Sequence, residues 1–270
     1  MHAPRHFLGM LSVSRGELTS ILRGAVAMKA AVSRDPTAQL QWLQGRTMAM
    51  VFEKPSLRTH TSFQTGMHQL GGNAIYLGPE QIGLGKREPI KDVSRVLSRM
   101  TDIIIARVFS NESIRELAAH SSVPVINALC DVEHPCQAVA DMLTILEHKG
   151  RLDSSLKVTF VGDGNNNVTH SLALACAQLG VNFTCASPTQ HSMDAGILKT
   201  AQDTASATSA AITQTVDVAE AVTGADVVYT DTFVSMGQED EKEQRLCEFD
   251  GYQSSCMTCQ RTAALRWRRT

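Results

Sequence analysis

The sequence has no run of about 18 apolar residues, so no transmembrane helix is expected. It has no large excess of either charge. With 25 Lys and Arg against 27 Asp and Glu, the formal net charge is −2. That gives no electrostatic case for general nucleic-acid binding. It also lacks a cysteine framework. Cys130, Cys136, Cys176, Cys185, Cys247, Cys256 and Cys259 are odd in number and irregular in spacing, which argues against paired disulfides. Several sit in apolar stretches such as "LALACAQLG", where a thiol acts as a small core hydrophobe. This usage points to the cytosol. The opening "MHAPRHFLGMLSVSRGEL" has no apolar h-region and no small-residue cleavage site, so it is not expected to be secretory. His134 and Cys136 have no second pair at ligand spacing, so no metal site is expected.

What is present is an ordinary globular composition over 270 residues, 43% hydrophobic and 19% charged. That length suggests one large domain or two of common size. Apolar runs alternate with amphipathic stretches. "TMAMVF", "NAIYLG", "DIIIARV", "VPVINA", "KVTFVGDG", "VNFTCAS" and "DVVYTD" predict strands. Helices are predicted over 15–33, about 59–70, "IKDVSRVLSRM", "NESIRELAAH" with Asn111 as a cap, 136–149, "THSLALACAQLG" and "DVAEAVTGA". In "IKDVSRVLSRM", Val93, Val96, Leu97 and Met100 share one face. "GPEQIGLGKREP" reads as a loop, and 200–215 as a solvated helix with its exit loop. The alternation predicts an α/β chain with two domains, each a mainly parallel sheet flanked by helices. The polar gap "KGRLDSSL" places the boundary near Gly150, giving 1–150 and 151–270.

Four stretches could carry chemistry, each at a predicted strand end. "PSLRT" puts Ser56, Arg58 and Thr59 at a helix start, where free backbone N–H groups and the helix dipole favour an anion. Arg58 adds a planar fork suited to phosphate. The plainer account is a Ser/Thr cap beside an exposed arginine. "DVEHPCQAVADML" leaves His134 on the loop side of a proline that opens a helix. There it either donates to a substrate oxygen or merely caps. "VGDGNNNVTHS" resembles a dinucleotide turn but has Asn167 in place of the third glycine, and no acid closes the next strand. Its carboxamides suit a zwitterionic small ligand instead. "TDTFVSMGQEDEK" sets Asp231 after a strand, where it could meet an ammonium, with Ser235 and Met236 near a carboxylate. The plainer account is a charged helix start at the surface. Arg107 ends "DIIIA" and gains weight only from this company.

In their order along the chain, "FEKPSLRT", "LGG", "VLSRMTDIIIAR", "EHPCQAVADMLTI", "FVGDGNN" and "DTFVSMGQEDEK" resemble the carbamoyltransferase family, and within it the ornithine-specific branch. The resemblance spans residues 4–252. It implies a first domain binding carbamoyl phosphate, a second binding ornithine, and a homotrimer with active sites at subunit interfaces. It implies that Ser56, Leu57, Arg58 and Thr59 grip the phosphate. Arg107 and His134 would contact the carbamoyl oxygen, and Gln137 the carbamoyl nitrogen. Asn167, Asp231, Ser235 and Met236 would hold ornithine, and Arg107, His134 and Asp231 would be catalytic. The expected reaction gives citrulline and phosphate, in the cytoplasm, and would need no metal or organic cofactor and no nucleic-acid or membrane partner.

Three departures qualify the match. His60 stands where the family commonly has a second arginine. Gly83 falls where the interface loop offers Gln or His, with Gln81 two residues earlier as a substitute. Past "FDGYQ" the family's "HCLP" loop is absent, and a basic tail follows (Arg261, Arg266, Arg268, Arg269). The expectation is a frame change after about Gln253 and an incomplete second domain. Cys256 and Cys259 have redox-motif spacing, expected to be incidental. Two other classes stay open. One is a non-catalytic relative that still trimerises. The other is a sister enzyme using another amine.

Overall fold

The computed structural model describes residues 4–35, 40–234 and 239–252, and the backbone of 265–268. The chain forms two compact units, one of Met1–Val13 with Arg23–Cys136, the other of Ser14–Leu22 with Gln137–Thr270. Of the three divisions, one falls just before α1 (Arg15–Arg34), one inside it and one inside α6 (Pro135–Lys149).

The first unit holds β1 (Thr47–Phe52), β2 (Asn73–Leu77), β3 (Ile103–Arg107) and β4 (Val125–Leu129), all parallel, in the order β2-β1-β3-β4. Alternation along β1 explains its two covered faces. Ala49 and Val51 join one cluster with Ile104, Ala106 and Leu117. Met48, Met50 and Phe52 join another with Met67 and Ile105. Each buried Met, Ile or Leu of this kind stabilises by about 1.5–3 kcal/mol. Crossovers run through α2 (Leu57–Gln69), α3 (Pro79–Ile82), α4 (Ile90–Met100) and α5 (Asn111–His120).

Several local readings need correction. "GPEQIGLGKREP" contains the one-turn helix α3, closed by Gly83 at φ 51. A side chain there would be strained, and its Cβ would meet the Arg87 Cβ at 2.8 Å. The glycine is therefore a structural cap of α3. Helix α5 is capped by Ser110, whose hydroxyl accepts from Ser113 N, and not by Asn111. The apolar face read for α4 is only half right. Val93 is buried, but Val96 is 48% and Met100 74% exposed. The buried face carries Ser94 and Ser98 instead. Ser94 donates to Leu117 O at 2.6 Å, and Ser98 donates to Ser94 O while sharing a bond with Ser121. Small hydroxyls satisfied by carbonyls let α4 meet α5 closely, which a hydrophobicity pattern does not register.

The second unit holds β5 (Lys157–Val161), β6 (Asn182–Ala186), β7 (Ile212–Thr215), β8 (Val227–Thr230) and β9 (Leu265–Arg268). They are parallel, in the order β7-β6-β5-β8-β9. Its helices are α7 (Asn167–Leu179), α8 (Ala195–Ser206), α9 (Val218–Val222) and α10 (Lys242–Glu248). Helix α7 is buried from Val168 to Leu179 and closes at Gly180, φ 84, a left-handed C-cap that favours glycine. The stretch 200–215 is only in part a solvated helix and exit loop: 200–206 end α8 with Gln202, Asp203 and Ser206 exposed, but one face is covered and the last four residues are a strand. Ala201 and Ala205 are buried, and Ile212–Thr215 is strand β7, paired with β6. The basic tail also supplies a strand, since Leu265–Arg268 pairs with β8 from Val227 to Thr230. Residues 253–264, which hold the change of pattern and the Cys256/Cys259 pair, lie outside the described residues, as do Ser235 and Met236.

Candidate active site

In both sheets the strand order reverses beside the first strand. β1 leads to β2 on one side and β3 on the other; β5 leads to β6 on one side and β8 on the other. Open parallel sheets bind ligands outside the carboxyl ends of strands at such switch points. Pairing brings Phe52 beside Arg107, and Arg107 beside Leu129, so the loops after β1, β3 and β4 converge.

At the first switch point, Ser56 caps α2 by accepting from Thr59 N at 3.3 Å. Arg107 is 6% exposed, and its Nη1 donates to Thr59 Oγ1 at 3.2 Å. This ties the end of β3 to the first turn of α2. Leu57 is 81% exposed, so its part in any anion cradle is its backbone N–H. Arg58 is also exposed. His134 is 5% exposed, immediately before the helix opened by Pro135. His60 stacks on Tyr76 with ring centroids 4.2 Å apart.

The structure adds Lys54, which the motif reading passed over. Its Nζ lies 5.2 Å from the centre of the Phe109 ring. Burial first, and the nearby Arg107 second, hold its ammonium below the ordinary lysine pKa. Glu53 N donates to Arg107 O, and Glu53 Oε2 accepts from Phe109 N at 2.7 Å, which locks the loop after β1 to the loop after β3. Lys54, Arg58 and Arg107 gather at a helix N-terminus, an arrangement suited to an anion. A separate cavity of 390 Å³, lined by Thr61, Gln64, His68 and Asn73 among others, includes none of the candidate residues.

Further along α6, Gln137 Nε2 donates to Asp141 Oδ1 at 2.8 Å, and Asp141 is 3% exposed. The carboxylate thus fixes which way this amide faces. Cys136, one residue earlier, is pushed up to about 12 by burial, and Cys185 likewise. Neither is a thiolate nucleophile at neutral pH.

At the second switch point, the three asparagines divide their work. Asn166 caps α7, accepting from Val168 N and Thr169 N and donating to Asp163 O. Asn167 follows as the first helical residue, half-buried. Gly164 permits a tight approach, because a Cβ there would stand 2.7 Å from His191 O. After β8, Asp231 is half-buried and its Oδ1 accepts from Thr232 N at 2.9 Å.

Sequence reasoning missed Asp163 and Arg245. They form an ion pair with side chains 4% and 6% exposed. The only signals were an acid between two glycines and an arginine four residues after Glu241 in an acidic run. Among the described residues, no group of three or more His, Cys, Asp or Glu side chains is placed to hold a metal ion, and no helix is long and apolar enough to cross a membrane.

Comparison with known proteins finds two matched stretches. Residues 5–147 match the family pattern described as aspartate/ornithine carbamoyltransferase, carbamoyl-P binding domain, and 154–260 match its Asp/Orn binding domain. An ornithine carbamoyltransferase from Listeria monocytogenes is 44% identical over 92% of this chain and 76% of its own length. One from Thermococcus kodakarensis is 45% identical over 90% and 76%. The solved ornithine carbamoyltransferase from Pyrococcus furiosus superposes with a TM-score of 0.91 at 40% identity, covering 96% of this chain and 82% of that one. The anabolic enzyme from Campylobacter jejuni gives 0.87 at 35%, covering 97% and 83%. With both domain patterns matched and identity at this level over most of its length, the chain belongs to the aspartate/ornithine carbamoyltransferase family.

Proposed function

We propose that this chain transfers the carbamoyl group of carbamoyl phosphate to the δ-amine of L-ornithine, giving L-citrulline and phosphate. The observation that carries the reading is Arg107, buried at the end of β3 and bonded to Thr59 at the N-terminus of α2. It sets a fixed cation where an anion cradle and a polarised carbonyl would meet. The relatives' names supply the acceptor.

In this reading residues 1–150 bind carbamoyl phosphate and 151–270 bind ornithine. Ser56, Arg58 and Thr59, with the backbone N–H of Leu57, hold the phosphate. Arg107 and His134 face the carbamoyl oxygen, and Gln137, fixed by Asp141, takes the carbamoyl nitrogen. Asn167, Asp231, Ser235 and Met236 hold ornithine. An amine of this kind has an ordinary pKa near 10 and is mostly protonated at neutral pH, so the site must select the neutral form. Its lone pair attacks the carbamoyl carbon. Charge then grows on the carbonyl oxygen, where prearranged donors stabilise it most. The C–O bond to phosphate breaks next, the attacking nitrogen gives up one proton to the leaving phosphate, and the resulting hydrogen phosphate dianion meets Arg58 and the helix N-terminus.

The chain is further proposed to be a cytoplasmic homotrimer. Leu57, Ile75, Val96 and Met100 on the first unit are large exposed apolar side chains that assembly would cover. The described cysteines are free thiols, as a reducing compartment favours. Incubating the purified chain with both substrates and assaying citrulline tests the activity. No citrulline above background would leave the non-catalytic relative as the better account. Competing amines in the same assay test the acceptor, and sedimentation tests the trimer.

A further inference from the structure

One short helix of the second unit touches three of its ligand-facing strand ends. From α10, Arg245 Nη2 bonds the Asp163 carboxylate after β5, and Arg245 Nε donates to Phe233 O after β8 at 2.6 Å. Three residues on, Glu248 meets His191 Nε2, after β6, at 2.6 Å. Aromatic rings back these bonds. Phe249, fully buried, stacks on Phe233 at 5.0 Å and on His191 at 4.6 Å, and the guanidinium carbon of Arg245 sits 5.4 Å from the Phe249 ring centre. Gly162, at φ 141, takes a backbone conformation in the loop after β5 that a side chain would strain.

We propose that Arg245 is a positioning residue for the amino-acid substrate. It fixes the loop after β5 against the loop after β8, and so sets where Asn167 and Asp231 stand. A buried ion pair is poor evidence of net stability, because an apolar pair of similar volume often serves as well. What an apolar pair cannot do is register two loops at once. The planar guanidinium directs donors to a carboxylate and a carbonyl in fixed geometry. Asp163 Oδ1 also accepts from Asn165 N, and Asp163 O accepts from Asn166 and Thr169. The same residue that receives Arg245 therefore shapes the turn that delivers Asn167. On the other side, Phe233 lies two residues after Asp231.

This inference rests on reading Asn167 and Asp231 as ornithine contacts, and its test separates the two. Steady-state kinetics on the full chain would compare wild type with Arg245→Lys, Arg245→Met and Asp163→Asn. A displacement near 1 Å can cost about 100-fold, so Arg245→Met should raise KM for ornithine by roughly ten-fold or more. KM for carbamoyl phosphate should stay within about two-fold, since uniform binding to that substrate is untouched. Arg245→Lys should fall between, and Arg245→Met with Asp163→Asn together should cost little more than either alone. A fall in kcat with both KM values unchanged would mean loss of folded enzyme and overturn the proposal. If Arg245→Met does not fold, Arg245→Lys and Asp163→Asn carry the same comparison. Amide hydrogen exchange over 162–166 and 231–234 needs no turnover. Faster exchange in both loops together supports the clamp, and unchanged exchange in either overturns it. Should wild type make no citrulline, the proposed function fails and exchange alone decides the clamp.

Discussion

The two switch points are held by different means. In the first unit the anion cradle is mostly local. Ser56 caps a turn three residues long, and the bonds of longer range around it (Arg107 to Thr59, Glu53 N to Arg107 O and Phe109 N to Glu53 Oε2) join only two neighbouring strand ends. In the second unit the loops after β5 and β8 are joined by Arg245 and Asp163, 82 residues apart in sequence. A cradle of backbone N–H groups is set once its helix starts. A clamp between distant loops exists only when both loops and α10 are in place. The first should therefore tolerate damage piecemeal, while the second should fail as a unit.

The comparison breaks most clearly at the clamp. Asp163→Ala leaves a buried guanidinium without its carboxylate, and such losses cost about 3–5 kcal/mol. Chemical denaturation should show a lower midpoint, and adding Arg245→Met should recover part of the loss. At the cradle, Arg107→Met should lower kcat by about 10²–10³, as removal of one oxyanion donor typically does. Its KM for ornithine should stay near that of wild type in the citrulline assay. A large rise in that KM would mean the two sites are not separable in this way.

Smaller effects sharpen the contrast. Ser56→Ala removes the α2 cap and should cost about 1 kcal/mol in a melting experiment. Ser56→Asp should restore the cap yet weaken phosphate binding, because it sets a negative charge where the anion belongs. Calorimetry with inorganic phosphate distinguishes the two variants. The least effect concerns Lys54. Its folded pKa is lowered, by burial first and Arg107 second. Between that value and the ordinary lysine value the unfolded chain binds more protons, so stability rises with pH across the window. Lys54→Met should flatten this rise when denaturation midpoints are compared as the pH approaches the ordinary lysine value from below.

Much of the fold is legible along the chain because it rests on local rules. Period-two alternation gave "TMAMVF" two covered faces, and glycines marked the ends of α2 and α7. The errors came where neighbours decide. Ser94 of α4 is buried because α5 offers it the Leu117 carbonyl, and Ser98 because the Ser94 carbonyl and the Ser121 hydroxyl meet it. Ile212–Thr215 is a strand because β6 lies open beside it. Leu265–Arg268 joins the sheet beside β8 despite its basic composition.

By itself the sequence determined where ligand-facing turns would occur, since a cap residue, a proline or a glycine after an apolar run fixes backbone direction within a few residues. It also carried the family resemblance, through motifs short enough to read in order. Only the tertiary structure decided that Arg107 reaches Thr59, that Lys54 joins them, and that Arg245 is a buried clamp and not a surface charge. A side chain's partner across 48 or 82 residues is set by strand order and helix packing, and no local spacing encodes it.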